Sequence, residues 1–219
     1  MNLIQLKKIT KSYSPTEKAL KEINLDIKQG EFIALMGESG AGKTSLLNIL
    51  GLIDEPSSGE YLFEEESVGS YDERKRTHFR RKKLGFIFQF FNLLPALNVM
   101  DNVAVPLHLN GVKHFKQIAR EKLAQVGILE LKDRPLNTLS GGQMQRVAIA
   151  RAIAHNPKLI LADEPTGNLD SKTAADILEL MVRLKKEDNI TIVMATHSKL
   201  ASKYANRILN ISDGLIETV

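Results

Sequence analysis

Apolar and polar positions alternate at the amino end of the chain. Leu3, Ile4, Leu6 and Ile9 recur among polar neighbours, and Ile23-Asn24-Leu25-Asp26-Ile27 alternates strictly, the period of a strand with one buried face. After the Gln29-Gly30 turn the pattern changes. Phe32 to Met36 is continuously apolar and predicts a buried strand, and Ser45-Leu46-Leu47-Asn48-Ile49-Leu50 predicts the first turns of a helix. Leu84 to Phe88, Leu159 to Ala162 and Thr191 to Ala195 predict three further strands. Helical spacing appears from His114 to Val126, where Phe115, Ile118, Leu123 and Val126 share a face and Gly127 closes the segment. It appears again from Gln143 to His155, ending before Pro157, and from Lys172 to Glu187 behind Ser171 or Asp170 as N-cap. Asn210 to Ile216 predicts a closing hairpin on the Asp213-Gly214 turn. Strands at both ends and helices in the middle make an α/β chain.

The stretch from Leu84 to Met100 has no charged residue in seventeen positions, near the lower limit of about 17–25 residues for a membrane-spanning helix. Gln89, Asn92 and Asn98 interrupt it and Pro95 would break a helix, so a strand, a loop and short helices are expected instead. Four of the eight phenylalanines lie here. Phe86 and Phe88 suit a core strand, whereas Phe90 and Phe91, beside a loop, are candidates for an apolar patch that faces a partner.

Composition narrows the class. At 219 residues and 43% hydrophobic content the chain suits one large α/β domain, and without cysteine it has neither disulfides nor thiolate metal sites. Met1 to Lys8 lacks the order of a signal peptide, so a cytoplasmic location is expected. The net charge of +4 permits nucleic acid, an anionic membrane surface or nucleotide phosphates as partners. Its densest part, Arg74 to Lys83, follows Glu64-Glu65-Glu66 and Asp72-Glu73, and such mixed signs favour a solvated helical face over a binding patch.

Chemistry enters between the buried strand and the helix after it. Gly37-Glu38-Ser39-Gly40-Ala41-Gly42-Lys43-Thr44 fits the phosphate-loop pattern G-x-x-x-x-G-K-[ST]. Glycines let backbone N–H groups turn inward around phosphate oxygens, the helix N-terminus adds partial positive charge, Lys43 reaches the β- and γ-phosphates, and Thr44 offers a hydroxyl to Mg²⁺. A glycine turn that merely precedes a lysine would lack the strand and helix on either side. Leu159 to Ala162 ends in Asp163-Glu164, two carboxylates that point to different faces: Asp163 suits Mg²⁺ and Glu164 suits the general base for an attacking water. His197, after its own strand, is either a buried structural histidine or a γ-phosphate sensor. Gln89 is equally ambiguous, and Tyr13 is either a surface residue or a platform for a purine. Ligands gather at strand carboxyl ends in open α/β sheets, and three strands here finish in polar groups.

With Leu139-Ser140-Gly141-Gly142-Gln143-Met144-Gln145-Arg146 in view, the chain resembles the ATP-binding cassette family, whose signature is LSGGQ. The resemblance covers nearly all of it. It implies Tyr13 as the adenine-stacking aromatic, Gly37 to Thr44 as the phosphate loop with Ser45 also binding nucleotide, Gln89 as the Q-loop glutamine that also reaches Mg²⁺, and Ser140 to Gln143 as the signature. It further implies Asp163 and Glu164 as the acidic pair, Gly167-Asn168-Leu169-Asp170 as the D-loop and His197 as the switch histidine. The implied fold is α/β, a P-loop NTPase core of ABC type with an antiparallel β lobe and an inserted helical subdomain. Residues 1–219 would form one ATPase domain, with 1–89 and 156–219 as nucleotide-binding core and β lobe and 90–155 as the helical subdomain. Phe90-Phe91-Asn92-Leu93-Leu94-Pro95 and Glu164-Pro165-Thr166-Gly167-Asn168-Leu169-Asp170 are similar to the lipoprotein-releasing and macrolide-exporting cassettes LolD and MacB, with FtsE and antimicrobial-peptide cassettes as close relatives.

That family implies an ATPase subunit, using ATP and Mg²⁺, that drives a separate membrane permease docked at Gln89 to Pro95. It also implies a head-to-tail homodimer that sandwiches ATP between the phosphate loop of one chain and Ser140, Gly141 and Gly142 of the other. The chain would sit on the inner face of the cell membrane through its permease. The alternative is an FtsE-like regulatory module that signals through a membrane protein without moving a solute. Nucleic acid is not an expected partner, since neither a long coiled coil nor a second cassette is present. Ser198 stands where the family often has an acidic residue, and no C-terminal regulatory domain is expected after the hairpin.

Overall fold

The structure is a computed structural model and describes every residue except Pro15, Glu17, Thr218 and Val219. In chain order it runs β1 (Asn2–Ser12), β2 (Lys18–Lys28), β3 (Phe32–Met36), α1 (Lys43–Leu50), β4 (Ser58–Phe63), β5 (Glu66–Ser67), α2 (Glu73–Lys83) and β6 (Leu84–Phe88). The middle is α3 (Val99–Leu109), α4 (Phe115–Gln125), two short 3-10 turns and α5 (Gly141–Ile153). The chain returns through β7 (Leu159–Asp163), α6 (Ser171–Asp188), β8 (Thr191–Ala195), α7 (Lys199–Ser202), β9 (Arg207–Ser212) and β10 (Leu215–Glu217).

The strands form two sheets. One is antiparallel, in the order β2-β1-β4-β5; the other runs β10-β9-β3-β8-β7-β6, parallel except for the β10 hairpin strand. The continuously apolar strands are explained by what lies on each side of the second sheet. Phe32, Ala34, Ile160, Ala162, Ile192 and Met194 face the core built with α3 to α6, whereas Ile33, Leu35, Leu159, Leu161, Val193 and Ala195 face the core shared with α1 and the antiparallel sheet. Both faces are dry, so period two gives no polar position. Truncating one such isoleucine to alanine costs about 2–5 kcal/mol.

Several elements differ from the sequence pattern. β4 and β5 complete the antiparallel sheet although they bury only Tyr61 and Phe63. The predicted short helices after the Pro95 loop are one helix, α3, which continues through Pro106; the backbone bond that proline forfeits is offset by burial of Val99, Val103, Ala104 and Leu107. α5 begins two residues before Gln143, because Ser140 accepts from the Gln143 N–H and the Gln143 side chain accepts from the Ser140 N–H, a reciprocal cap. On α2 the run of cations divides by face. Phe79 packs edge-to-face on Phe63 at 4.9 Å and Arg76 pairs with Glu55, while Arg74, Lys75, His78, Arg81 and Lys82 are exposed.

Candidate active site

Strand register assembles the site. Leu35 pairs with Ala195, Ala195 with Asp163 and Asp163 with Phe88, so the residues that follow these four strands leave the sheet along one edge. A cleft of about 650 Å³ lies there, lined by Tyr13, Gly37, Glu38, Ser39, Gly40, Gly42, Lys43, Thr44, Ser45, Gln89, Asp163, Glu164 and His197, together with Lys18 and Ala19 from β2. A larger groove, about 950 Å³, follows the basic face of α2 and contains none of these residues.

The loop after β3 needs its glycines. A Cβ at Gly37 would stand 2.2 Å from the Ile211 carbonyl oxygen, and one at Gly42, whose φ is 109°, would stand 2.6 Å from that of Ala19. Gly42 is also the N-cap of α1 and supplies no side chain to the helix end, so the N–H groups of the first turn are free to face an anion. Lys43 Nζ donates to the carbonyls of Gly37 and Glu38, 2.8 Å each, which holds the ammonium across its own loop. Ala41 is buried beneath the loop rather than in the cleft. Tyr13, 52% exposed, stands at the rim with its hydroxyl 3.2 Å from Ser45 Oγ and with the Lys11 ammonium over its ring at 5.0 Å.

At the end of β7 the two carboxylates part as strand geometry requires. Glu164 adopts φ 45°, a left-handed conformation that costs a residue with a Cβ on the order of 1–3 kcal/mol. Its Oε1 accepts from the His197 backbone N–H at 3.0 Å and lies 2.7 Å from His197 Nδ1, and its Oε2 accepts from the Thr196 hydroxyl at 3.2 Å. The His197 ring is 74% exposed, so it is not the buried structural histidine. Burial pushes the Asp163 carboxyl above the usual aspartate range and the Glu164 charge adds to that, while Lys43 opposes it. Gln89 is clasped by the D-loop: Asn168 Nδ2 donates to the Gln89 carbonyl at 3.0 Å, and Gln89 Nε2 donates to Asn168 Oδ1 at 3.4 Å.

Ser140, Gly141, Gly142 and Gln143 are not in the cleft; they form the start of α5, beside Leu169 and Thr173. Asp170 is also outside it. It caps α6, accepting from the N–H groups of Lys172 and Thr173, and hydrogen bonds from the Thr173 side chain and backbone hold its carboxyl below the usual range. Sequence patterns missed the residues that shape the loops. Asn102, fully buried in α3, accepts from the Leu94 N–H and donates to the carbonyls of Leu94, Leu97 and Asn98. Arg151 of α5 donates to the carbonyls of Asn92 and Phe91, at 2.6 and 2.8 Å, where both residues have positive φ. A polar side chain in a helix carries no sign of which distant carbonyl it will reach.

The profile of the ABC transporter family matches residues 20–167. The chain belongs to that family. It is 46% identical to the ABC transporter ATP-binding protein YxdL of Bacillus subtilis, over 97% of this chain and 84% of that one. It is 45% identical to the macrolide export ATP-binding/permease protein MacB of Syntrophobacter fumaroxidans, over 99% of this chain but only 31% of MacB. The ABC cassette MJ0796 of Methanocaldococcus jannaschii, solved as a dimer in a post-hydrolysis state with ADP and phosphate, superposes with a TM-score of 0.88 at 42% identity, covering 98% of this chain and 97% of that one. This ABC cassette is thus an ATP-binding subunit of a transporter complex and hydrolyses ATP.

Proposed function

We propose that the cassette drives a separate membrane subunit of the export or lipoprotein-release type and that hydrolysis occurs in the cleft at the end of β7, with Glu164 as general base. The observation that carries this reading is the grip on Glu164. His197 and Thr196 donate to a carboxylate that Asp163, Lys43, Gln89 and the phosphate loop surround. With ATP in the loop, the N–H groups of α1 and the Lys43 ammonium face the β- and γ-phosphates, and Tyr13 offers its ring to the adenine. The water oxygen bonds to the γ-phosphorus, the bond to the β–γ bridging oxygen breaks with its electron pair leaving on ADP, and the water's proton passes to Glu164. His197 holds the carboxylate and reaches toward the γ-phosphate.

Mg²⁺ fits the donor set. Thr44, Asp163 and Gln89 bring a hydroxyl, a carboxylate and an amide oxygen to the cleft, hard donors suited to this ion. A cation there would relieve the unfavourable ionisation of Asp163. Bound Mg²⁺ would supply charge neutralisation on the phosphates. Asp170 would act in the D-loop and Ser140 to Gln143 from a second chain, with residues 90–155 moving as the helical subdomain.

The permease reading draws on MacB, whose name joins ATP-binding and permease functions in one chain, and on the loop after Gln89. Phe90 is 73% exposed and Leu94 45%, and a groove of about 350 Å³ that Asn92 of the same loop helps to line holds Phe86, Phe88, Pro106 and Leu109 together with the cations Arg80, Arg81 and Arg151. No helix among the described residues is long and apolar enough to cross a membrane, so attachment to the inner face would come through that partner. Glu164→Gln tests the catalytic reading: ATP should still bind while turnover falls by at least about 10²–10⁴. Wild-type turnover would overturn the assignment of the base.

A further inference from the structure

α5 carries a side chain that none of these roles uses. Gln145, in the second turn of the signature helix, is fully buried, and its Nε2 donates to the Pro165 carbonyl at 2.6 Å. Its Oε1 is equally shielded and accepts from no group among the described residues. Packing alone does not account for a glutamine here, because an apolar side chain of the same length would fill the space without burying an unpaired acceptor.

The bond matters because of what Pro165 follows. Glu164 sits in a left-handed turn that its surroundings must impose, and three contacts impose it. The Glu164 N–H donates to Ala195 of β8 at 3.0 Å, and the Gly167 N–H closes the turn onto the Glu164 carbonyl at 3.1 Å. The third is Gln145, and it alone comes from the helix that begins at the signature.

We propose that Gln145 is a positioning residue for hydrolysis: it holds the turn that aims Glu164 into the cleft and so ties the geometry of the base to the helix carrying Ser140 to Gln143. The proposal rests on Glu164 being the base. A displacement of α5 would be passed to the Pro165 carbonyl through one short, buried bond, with no flexible loop between. Since the Glu164 carboxylate is separately held by Thr196 and His197, losing Gln145 misplaces the base without removing it.

Gln145→Met keeps the length of the side chain and removes both polar atoms. Measured on the full chain, it should lower kcat by about 10–100-fold while KM for ATP stays within about twofold. Single-turnover hydrolysis by Gln145→Met/Glu164→Gln should equal that of Glu164→Gln alone, since no base remains to be aimed. A merely structural role would instead multiply the two losses, and that result overturns the proposal. Should Gln145→Met fail to fold, Gln145→Asn, which withdraws the donor by one methylene, should show the same split between kcat and KM. A large loss in Glu164→Gln with wild-type kcat in the folded Gln145 variant overturns this proposal alone. Wild-type turnover in Glu164→Gln overturns the base assignment and this proposal with it.

Discussion

Neighbouring carboxylates in the cleft are treated in opposite ways. Glu164 receives hydrogen bonds from Thr196 and His197, whereas Asp163 lies where burial, the first cause, and the Glu164 charge push its carboxyl up against the opposing pull of Lys43. A folded-state pKa above the unfolded one means that the native chain holds the Asp163 proton more tightly. Stability from this group is then fully present below the ordinary aspartate pKa and is lost as pH rises through the raised value. Asp163→Asn should therefore melt higher than wild type at neutral pH, and the two should converge in acid, where the aspartate is protonated in both states. The same variant should lose the Mg²⁺-dependent part of ATP binding, a trade of activity for stability. Thermal melts across pH check it; a gap between the two proteins that is constant with pH would exclude the electrostatic explanation.

Elements were legible where one strong pattern sets them. Phe32 to Met36 had to be a strand buried on both faces, and Gly37 to Thr44 had to turn into a helix, because glycine spacing and apolar runs act within a few residues. β4 was not legible, since of Ser58 to Phe63 only Tyr61 and Phe63 are buried, and the strand exists because β1 has a second edge to pair. The placement of Ser140 to Gln143 away from the cleft, and the reach of Asn102, Gln145 and Arg151 to distant carbonyls, depend on packing between segments that no local pattern encodes. The same limit applies to the loop after Gln89, whose apolar residues look alike in sequence. Leu93 packs against the helical core, whereas Phe90 and Leu94 point outward. Leu93→Arg should consequently lower the melting temperature of the isolated chain, while Leu94→Arg and Phe90→Arg should leave stability within about 0.5 kcal/mol of wild type. The latter pair should still weaken co-purification with the membrane subunit. Undiminished co-purification in both would move the docking site elsewhere.

At the scale of the whole molecule the signature and the cleft occupy different parts of one chain. Ser140 to Gln143 open α5 next to Leu169 and Thr173, so a chain does not offer them to its own phosphate loop. A two-fold pairing, head to tail, would bring each signature to the other chain's cleft and use both surfaces twice, which is the self-complementarity of a closed dimer. The N–H groups of Gly141 and Gly142 at the start of α5 would then meet the γ-phosphate from the side opposite Lys43, and ATP would link the chains by binding the pair more tightly than either alone. The Glu164→Gln chain, which binds ATP without consuming it, should elute as a dimer in Mg-ATP and as a monomer in ADP, with two ATP per dimer. Adding Ser140→Arg to it separates this arrangement from others. Loss of the Ser140 cap costs about 0.5–2 kcal/mol, small against a folding stability of about 5–15 kcal/mol, so the chain should still fold and its own cleft should still bind ATP. The arginine would stand where the partner's γ-phosphate must approach the helix end, too bulky for the close fit that Gly141 and Gly142 allow. Light scattering should then show monomer with nucleotide bound. An ATP-dependent dimer that survives Ser140→Arg would mean that the two chains meet through another surface.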